Sequence, residues 1–260
     1  MGHIHLGVLP ASKLWREVVA LLENGSPVED VIRASALAAE RDLTSAADDP
    51  IFVECVRLLT MIPLAARSEN FARALRDLGI PSQDDPDLMS ILAATGQRLD
   101  LFTRDIGRGS DFGELSRRAL LSTLGSAVSE ALPGLFEASS SDVRHATKDL
   151  SRSSGFSAYA RAFFTRLLSD TLSNWLDRTL STHVGPDKRF ADMGKRMAFD
   201  QALGQYCSEA TRIIREFSGG WYGKTVHREG KVDTRHAAIF GAVSFKKITE
   251  ELRRKRGFNE

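Results

Sequence analysis

Apolar residues recur at helical spacing over almost the whole chain. After Ser12, the residues Leu14, Val18, Leu21 and Leu22 mark one face of a helix that stops at Asn24-Gly25. Ser26-Pro27-Val28-Glu29 has the form of a capping box with proline at the first helical position. It predicts a second helix carrying Val28, Val31, Ile32, Leu37 and Leu43. Asp49-Pro50 opens a third, with Phe52, Val56, Leu59 and Ile62 in one stripe and Pro63 placed to kink or end it. Ser68 caps a short helix through Phe71, Leu75 and Leu78, stopped by Gly79 and Pro81. Asp85-Pro86-Asp87 then starts a helix with Leu88, Leu92, Leu99 and Phe102. Gly107 to Gly113 reads as a loop, and residues 114–132 as another helix.

The serine-rich stretch from Glu137 to Phe156 is the best domain boundary, although a short helix over 142–150 between two loops explains it equally well. We therefore divide the chain at 137/138 into an N-terminal helical region (1–137) and a C-terminal one (138–260) that could also be continuous. Tyr159, Phe163, Phe164, Leu167, Leu168, Leu172, Trp175, Leu176 and Leu180 form a wide apolar face. A turn at His183-Val184-Gly185-Pro186-Asp187 follows, then a helix from Phe190 to Phe217 whose spacing approaches a heptad. These two segments predict a long antiparallel hairpin, with Trp175 and Tyr206 on its facing sides. Ser218-Gly219-Gly220 is expected to end the second arm. Trp221 to Val232 is the least helical stretch and leaves room for one small β-hairpin. Asp233 then caps a final helix through Ala238, Ala242, Phe245, Ile248 and Leu252. Ile239, Gly241, Val243 and Phe245 also alternate as a strand would, but Lys246–Glu250 and Lys247–Glu251 at i,i+4 favour the helix. The expected fold is an all-α, multi-helix bundle.

The chain has 260 residues, 42% of them hydrophobic, which suffices for a proper core. Its 35 basic and 34 acidic residues exclude a globally basic nucleic-acid coat and an acidic tail. No apolar run is long enough to cross a membrane, and the first residues lack the basic and apolar regions of a signal peptide. Cys55 and Cys207 sit in apolar helical patterns and read as buried thiols of a cytoplasmic protein. The Arg-over-Lys, Ala-rich usage points to a bacterium with GC-rich DNA.

Motifs for chemistry are weak. Ser218-Gly219-Gly220-Trp221-Tyr222-Gly223-Lys224-Thr225 ends like a phosphate loop, but serine replaces its first glycine and no strand precedes it. Gly107-Arg108-Gly109-Ser110-Asp111-Phe112-Gly113 lacks the dinucleotide spacing. His3 and His5 have no neighbouring carboxylate or cysteine, and His145 lies between Asp142 and Asp149 on a polar helical face. No metal or cofactor is expected. Acid–base chemistry, if present, would centre on His227 with Glu229 or Asp233, beside Arg228 and Lys224.

One charge asymmetry stands out. Of the basic residues, 12 fall between Arg212 and Glu260, against 6 acidic ones. Trp221, Tyr222, Phe240 and Phe245 are interleaved with them. The candidate binding residues are Arg228, Lys231, Lys246, Lys247, Arg253, Arg254, Lys255 and Arg256. Three readings follow. The first is a non-catalytic helical subunit or adaptor of a larger bacterial assembly, holding a protein partner through this segment. The second is nucleic-acid binding by the same residues. The third is an enzyme with a site near His227.

Overall fold

The third helix is buried on nearly every side, not only along the expected stripe of Phe52, Val56, Leu59 and Ile62, as is a helix enclosed by others. The computed structural model describes residues 13–133, 138–180, 183, 185 and 188–257, with the side chains at 41, 42, 178, 179 and 255–257 also outside the description. Among the described residues there are eleven α-helices and no strand. They are α1 (Lys13–Glu23), α2 (Val28–Ala46), α3 (Pro50–Ala65), α4 (Phe71–Asp77), α5 (Leu88–Asp105) and α6 (Asp111–Ser129). After residue 137 come α7 (Ser140–Asp149), α8 (Ser153–Leu180), α9 (Met193–Ala210), α10 (Arg212–Glu229) and α11 (Thr234–Gly257).

In α3, residues 51–56 are all buried, and α4, α5, α6, α7 and α11 pack around the helix. Its start is fixed by Asp49, whose Oδ1 accepts from the N–H groups of Ile51 at 2.8 Å and Phe52 at 3.0 Å. The other carboxylate oxygen accepts from Ser110 Oγ, and Ser110 in turn caps α6 by accepting from Gly113 N–H. One aspartate thus joins two helix starts. Pro63 lies inside α3, and the helix ends two residues later. Buried Glu54 is held by Arg57 at 2.7 Å and by Arg98 of α5 at 3.0 Å, so its charge is paired inside the bundle.

The second central element is α8, 28 residues long, with α6 and α10 as its main neighbours. Phe52 of α3 stands 5.5 Å from Phe112, 6.3 Å from Phe164 of α8 and 5.2 Å from Phe245 of α11. This aromatic cluster joins elements on both sides of residue 137 into one connected core. At the far end of α8, Trp15 of α1 meets Trp175 edge to face at 5.6 Å.

Several local expectations are corrected. Ser26 does not form a capping box, because α2 starts at Val28 with Pro27 at the cap and no side-chain cap bond. The Ser26 carbonyl is instead taken by Arg189. Asn70, not Ser68, caps α4 by accepting from Arg73 N–H at 2.8 Å. The serine-rich stretch contains α7, whose Ser139 and Asp142 form a reciprocal capping box.

The largest correction lies between residues 190 and 232. The helix expected over Phe190–Phe217 breaks at Thr211 into α9 and α10, and α10 then runs on through Ser218-Gly219-Gly220 to Glu229. Residues 221–229, given above as a possible β-hairpin, are helical. Thr211 Oγ1 bonds Cys207 O at 2.9 Å and shares a hydrogen bond with Thr165 Oγ1 at 2.6 Å. Partners along α8 run in opposite chain directions: Asp177 with Arg196, Arg161 with Ser208, and Phe156 with Tyr222. The true end of α10 is Gly230, left-handed at φ 68°.

Gly219 fails to stop the helix because its missing side chain serves packing. A Cβ there would stand 2.4 Å from the Ser153 carbonyl of α8. Tyr222, one turn on, stacks on Phe156 at 4.1 Å and donates to the Thr60 carbonyl of α3 at 3.3 Å. Burial pushes its hydroxyl up to about 12. Gly220, by contrast, faces open space.

These neighbouring glycines should respond with opposite signs in urea unfolding. Gly219→Leu must separate α10 from α8 and should cost about 1–3 kcal/mol. Gly220→Ala should stabilise the protein by about 0.5–1 kcal/mol, the helix-interior preference for alanine. A destabilising Gly220→Ala would show that the helix ends there after all. Leu172→Ala, in the α8 core, should cost about 2–5 kcal/mol.

Candidate partner-binding surface

The basic C-terminal segment is folded into α10 and α11, which pack side by side. Trp221 stacks on Phe240 at 4.2 Å and 18°. Phe217 lies 5.7 Å from the same ring. The helices are joined by a short turn at Gly230–Asp233, and Asp233 caps α11 by accepting from His236 N–H at 2.8 Å. His236 Nδ1 also lies 2.8 Å from the same carboxylate oxygen.

This arrangement spreads the candidate cations over the length of a helix. Arg228 and Lys231 sit at the turn, both exposed. Arg253 and Arg254 lie at the other end of α11, roughly 29 Å from Thr234 at 1.5 Å per residue. Lys246 and Lys247 fall between. Lys255 and Arg256 have side chains outside the described residues. The segment is a basic stretch in sequence but is not one patch in space.

Part of the charge is engaged inside the molecule. Arg253 grips Glu40 of α2 with two guanidinium nitrogens, one of them at 3.0 Å. The Glu40 carboxylate holds the Arg253 guanidinium above its usual value. Arg254 pairs with Glu251 at 2.8 Å. The Lys247 ammonium sits 5.4 Å from the centre of the Phe217 ring. The expected Lys247–Glu251 pair is therefore replaced by two other contacts. Lys246, Lys224, Arg228, Lys231 and Arg235 are exposed.

The outward face of α11 carries a feature that the sequence stripe missed. The buried positions are Ala237, Phe240, Gly241, Ser244, Phe245, Ile248, Thr249 and Leu252, so Ala242 faces out and not in. Ile239 is 48% exposed and Val243 38%. With Arg235 and Lys246 they form one row at positions 235, 239, 243 and 246. The signal was available: the apolar alternation over 239–245 has more large apolar residues than one helical face can bury.

The residues considered for catalysis are not brought into a cleft. Lys224, His227 and Arg228 are exposed on the last turns of α10 and line none of the three grooves described on this molecule. The sequence resembling a phosphate loop is mid-helix, where each N–H is directed along the helix and not toward a ligand. His145 Nδ1 lies 2.7 Å from the Ser141 carbonyl. Its neighbour Asp142 is committed to the α7 cap, and Asp149 pairs with Arg152. Among the described residues no group of three or more His, Cys, Asp or Glu is placed to hold a metal ion. His3 and His5 lie outside the described residues. Among the described residues no helix is long and apolar enough to cross a membrane.

No family model, curated protein or solved structure matches the chain.

Two expectations follow. The N–H of His236 donating to Asp233 holds that carboxyl below its ordinary 3.8, with the His236 side chain adding to the effect. A depressed carboxylate contributes stability above 3.8 that is lost as pH falls through the folded-state value. NMR titration should give Asp233 a value below 3.8, and Asp233→Ala should fray the start of α11 at neutral pH while removing this part of the acid dependence. Separately, calorimetry with ATP and magnesium should show no saturable binding. Binding that is lost in Lys224→Ala would restore the phosphate-loop reading.

Proposed function

We propose that the protein is a non-catalytic helical adaptor of a larger bacterial assembly, and that it holds a protein partner on the outward face of α11. The observation that carries this reading is the exposed apolar pair Ile239 and Val243 set in line between Arg235 and Lys246. Apolar anchors with a polar or charged rim are the pattern of a protein interface. A phosphate backbone rewards cations and gains little from exposed isoleucine and valine. The internal pairing of Arg253 and Arg254 weakens the case for a continuous phosphate track.

Direct nucleic-acid binding is the second reading. It is favoured by the exposed cations Lys224, Arg228, Lys231 and Arg235 gathered about the α10–α11 turn.

Two measurements separate these readings. The first titrates the intact protein and a 253–260 deletion with single- and double-stranded DNA and with RNA across a salt series. The adaptor reading expects no binding at low salt. Four phosphate contacts would instead give a log–log salt slope of about −3 to −4. The second compares proteins cross-linked to the intact chain with those cross-linked to Ile239→Asp/Val243→Asp. A partner held on α11 should lose affinity by about tenfold or more in the double variant. Partners bound equally by both chains would move the interface elsewhere.

A further inference from the structure

The exposed apolar pair of α11 does not stand alone. Phe217 and Trp221 of α10 reach Phe240 across the seam between the two helices, at 5.7 Å and 4.2 Å, and both remain partly exposed. With positions 217 and 221 turned to α11, the adjoining outward positions of α10 are Gly220 and Lys224, both exposed. On the other side of the seam stand Val243 and Ile239, 38% and 48% exposed, with Phe240 buried beneath. The surface is a valley between two antiparallel helices, with an aromatic floor and an aliphatic bank.

The opposite bank is low. A Cβ at Gly220 would meet nothing within 4 Å among the described residues, so this glycine serves no packing inside the molecule. Glycine inside an exposed helix weakens it relative to alanine, and what it gives in return is room for the close approach of another chain.

The charge along the banks decides the chemistry of the occupant. Lys224 and Lys247 stand beside the seam, and Arg235 and Lys246 lie on the outer side of the aliphatic bank, against Glu250 on the same face of α11. Arg235 precedes Ile239 by four residues and Lys246 follows Val243 by three, so each apolar anchor has a cation one turn away. The Lys247 ammonium lies over the Phe217 ring of the floor. Unlike Arg253 and Arg254, none of these four cations is in an ion pair among the described residues. Toward the two ends of the valley, Arg212, Arg228 and Lys231 are matched in number by Glu216, Glu229 and Asp233. The positive surplus therefore belongs to the stretch that carries the apolar anchors. Cations at the edge of an apolar contact select a partner with the opposite charge around its own apolar residues.

We infer that the α10–α11 valley takes an amphipathic α-helix of a partner protein, which sets large apolar side chains against Trp221, Ile239 and Val243 and Asp or Glu against Lys224, Arg235, Lys246 and Lys247. The inference rests on the reading of α11 as a protein-binding face, and adds to it the conformation, the charge and the seat of the partner segment. A helix suits the valley because ridges of one helix pack into the groove left by others, with anchors at i, i+3, i+4 and i+7. A phosphate backbone would answer the cations and leave the aliphatic bank in water.

The test is a displayed library of helix-forming peptides about 18 residues long, enough to cover the roughly 18 Å from Arg235 to Lys247. Peptides are selected on the intact protein and then measured on three variants, all at exposed positions. Ile239→Asp/Val243→Asp removes the aliphatic bank, Arg235→Glu/Lys246→Glu reverses the charge, and Gly220→Leu fills the low bank of α10. Circular dichroism and melting midpoints matched to the intact chain confirm that each variant folds. The expected result is a set with apolar residues at helical spacing and Asp or Glu beside them, whose affinity falls about tenfold or more in each variant and weakens as salt rises. Peptides that need Ile239 and Val243 but are neutral or basic, or that bind the charge-reversed chain and Gly220→Leu as they bind the intact one, would overturn the inference and leave the α11 face standing. A selection without binders, or with binders indifferent to Ile239→Asp/Val243→Asp, would overturn both. A DNA duplex or anionic phospholipid vesicles bound through Arg235 and Lys246 and displacing the peptides would also count against it, because the occupant would then be a polyanion or a membrane surface.

Discussion

The bundle is organised around one steric condition: α11 must come close enough to α3 for Phe52 and Phe245 to touch. A Cβ at residue 241 would stand 2.6 Å from the Phe52 ring, so only glycine permits the observed distance. With that approach made, Phe52, Phe112, Phe164 and Phe245 close into one cluster that binds α3, α6, α8 and α11 together. Aromatic side chains bury large areas each, so this cluster supplies much of the drive that holds the two halves of the chain in a single core. The same device recurs where α10 crosses α8 at Gly219, and where α6 meets α3 at Gly113, whose Cβ would lie 2.7 Å from Ile51.

The position of the core determines what is left on the surface. Because α11 turns its Gly241–Phe245 side toward α3 and its Phe240 side toward Trp221, Ile239 and Val243 have nowhere to go but outward. The exposed apolar pair on α11 is thus a consequence of how the interior packs.

Some of the charge serves internal order. Glu54 is enclosed by Arg57 and Arg98, Arg253 reaches back to Glu40, and Arg189 binds carbonyls at the end of α1 and just before α2. In the C-terminal segment, Arg253 and Arg254 are held by Glu40 and Glu251, while Lys224, Arg228, Lys231, Arg235 and Lys246 remain exposed. Exposed pairs add little to stability, but they fix where a long cation points, and a cation so held is less available to a partner.

The amino-acid pattern by itself determined that the fold is built of helices, where several of them start, and that α8 carries a core face. These properties follow from local capping chemistry at residues such as Asp49, Asp87 and Asp233 and from apolar periodicity, both of which act over a few turns of chain. It misjudged the region from Ser218 to Val232, because glycine is both the usual helix terminator and the residue that lets helices touch. Which role applies at Gly219 depends on Ser153, 66 positions earlier in the chain, a contact no local rule contains. The placement of the basic residues was undecided for the same reason: Glu40 and Arg253 are 213 positions apart. The valley between α10 and α11 was equally out of reach. Its residues are visible in the sequence, but only the packing that stacks Trp221 on Phe240 turns two helix faces into a groove.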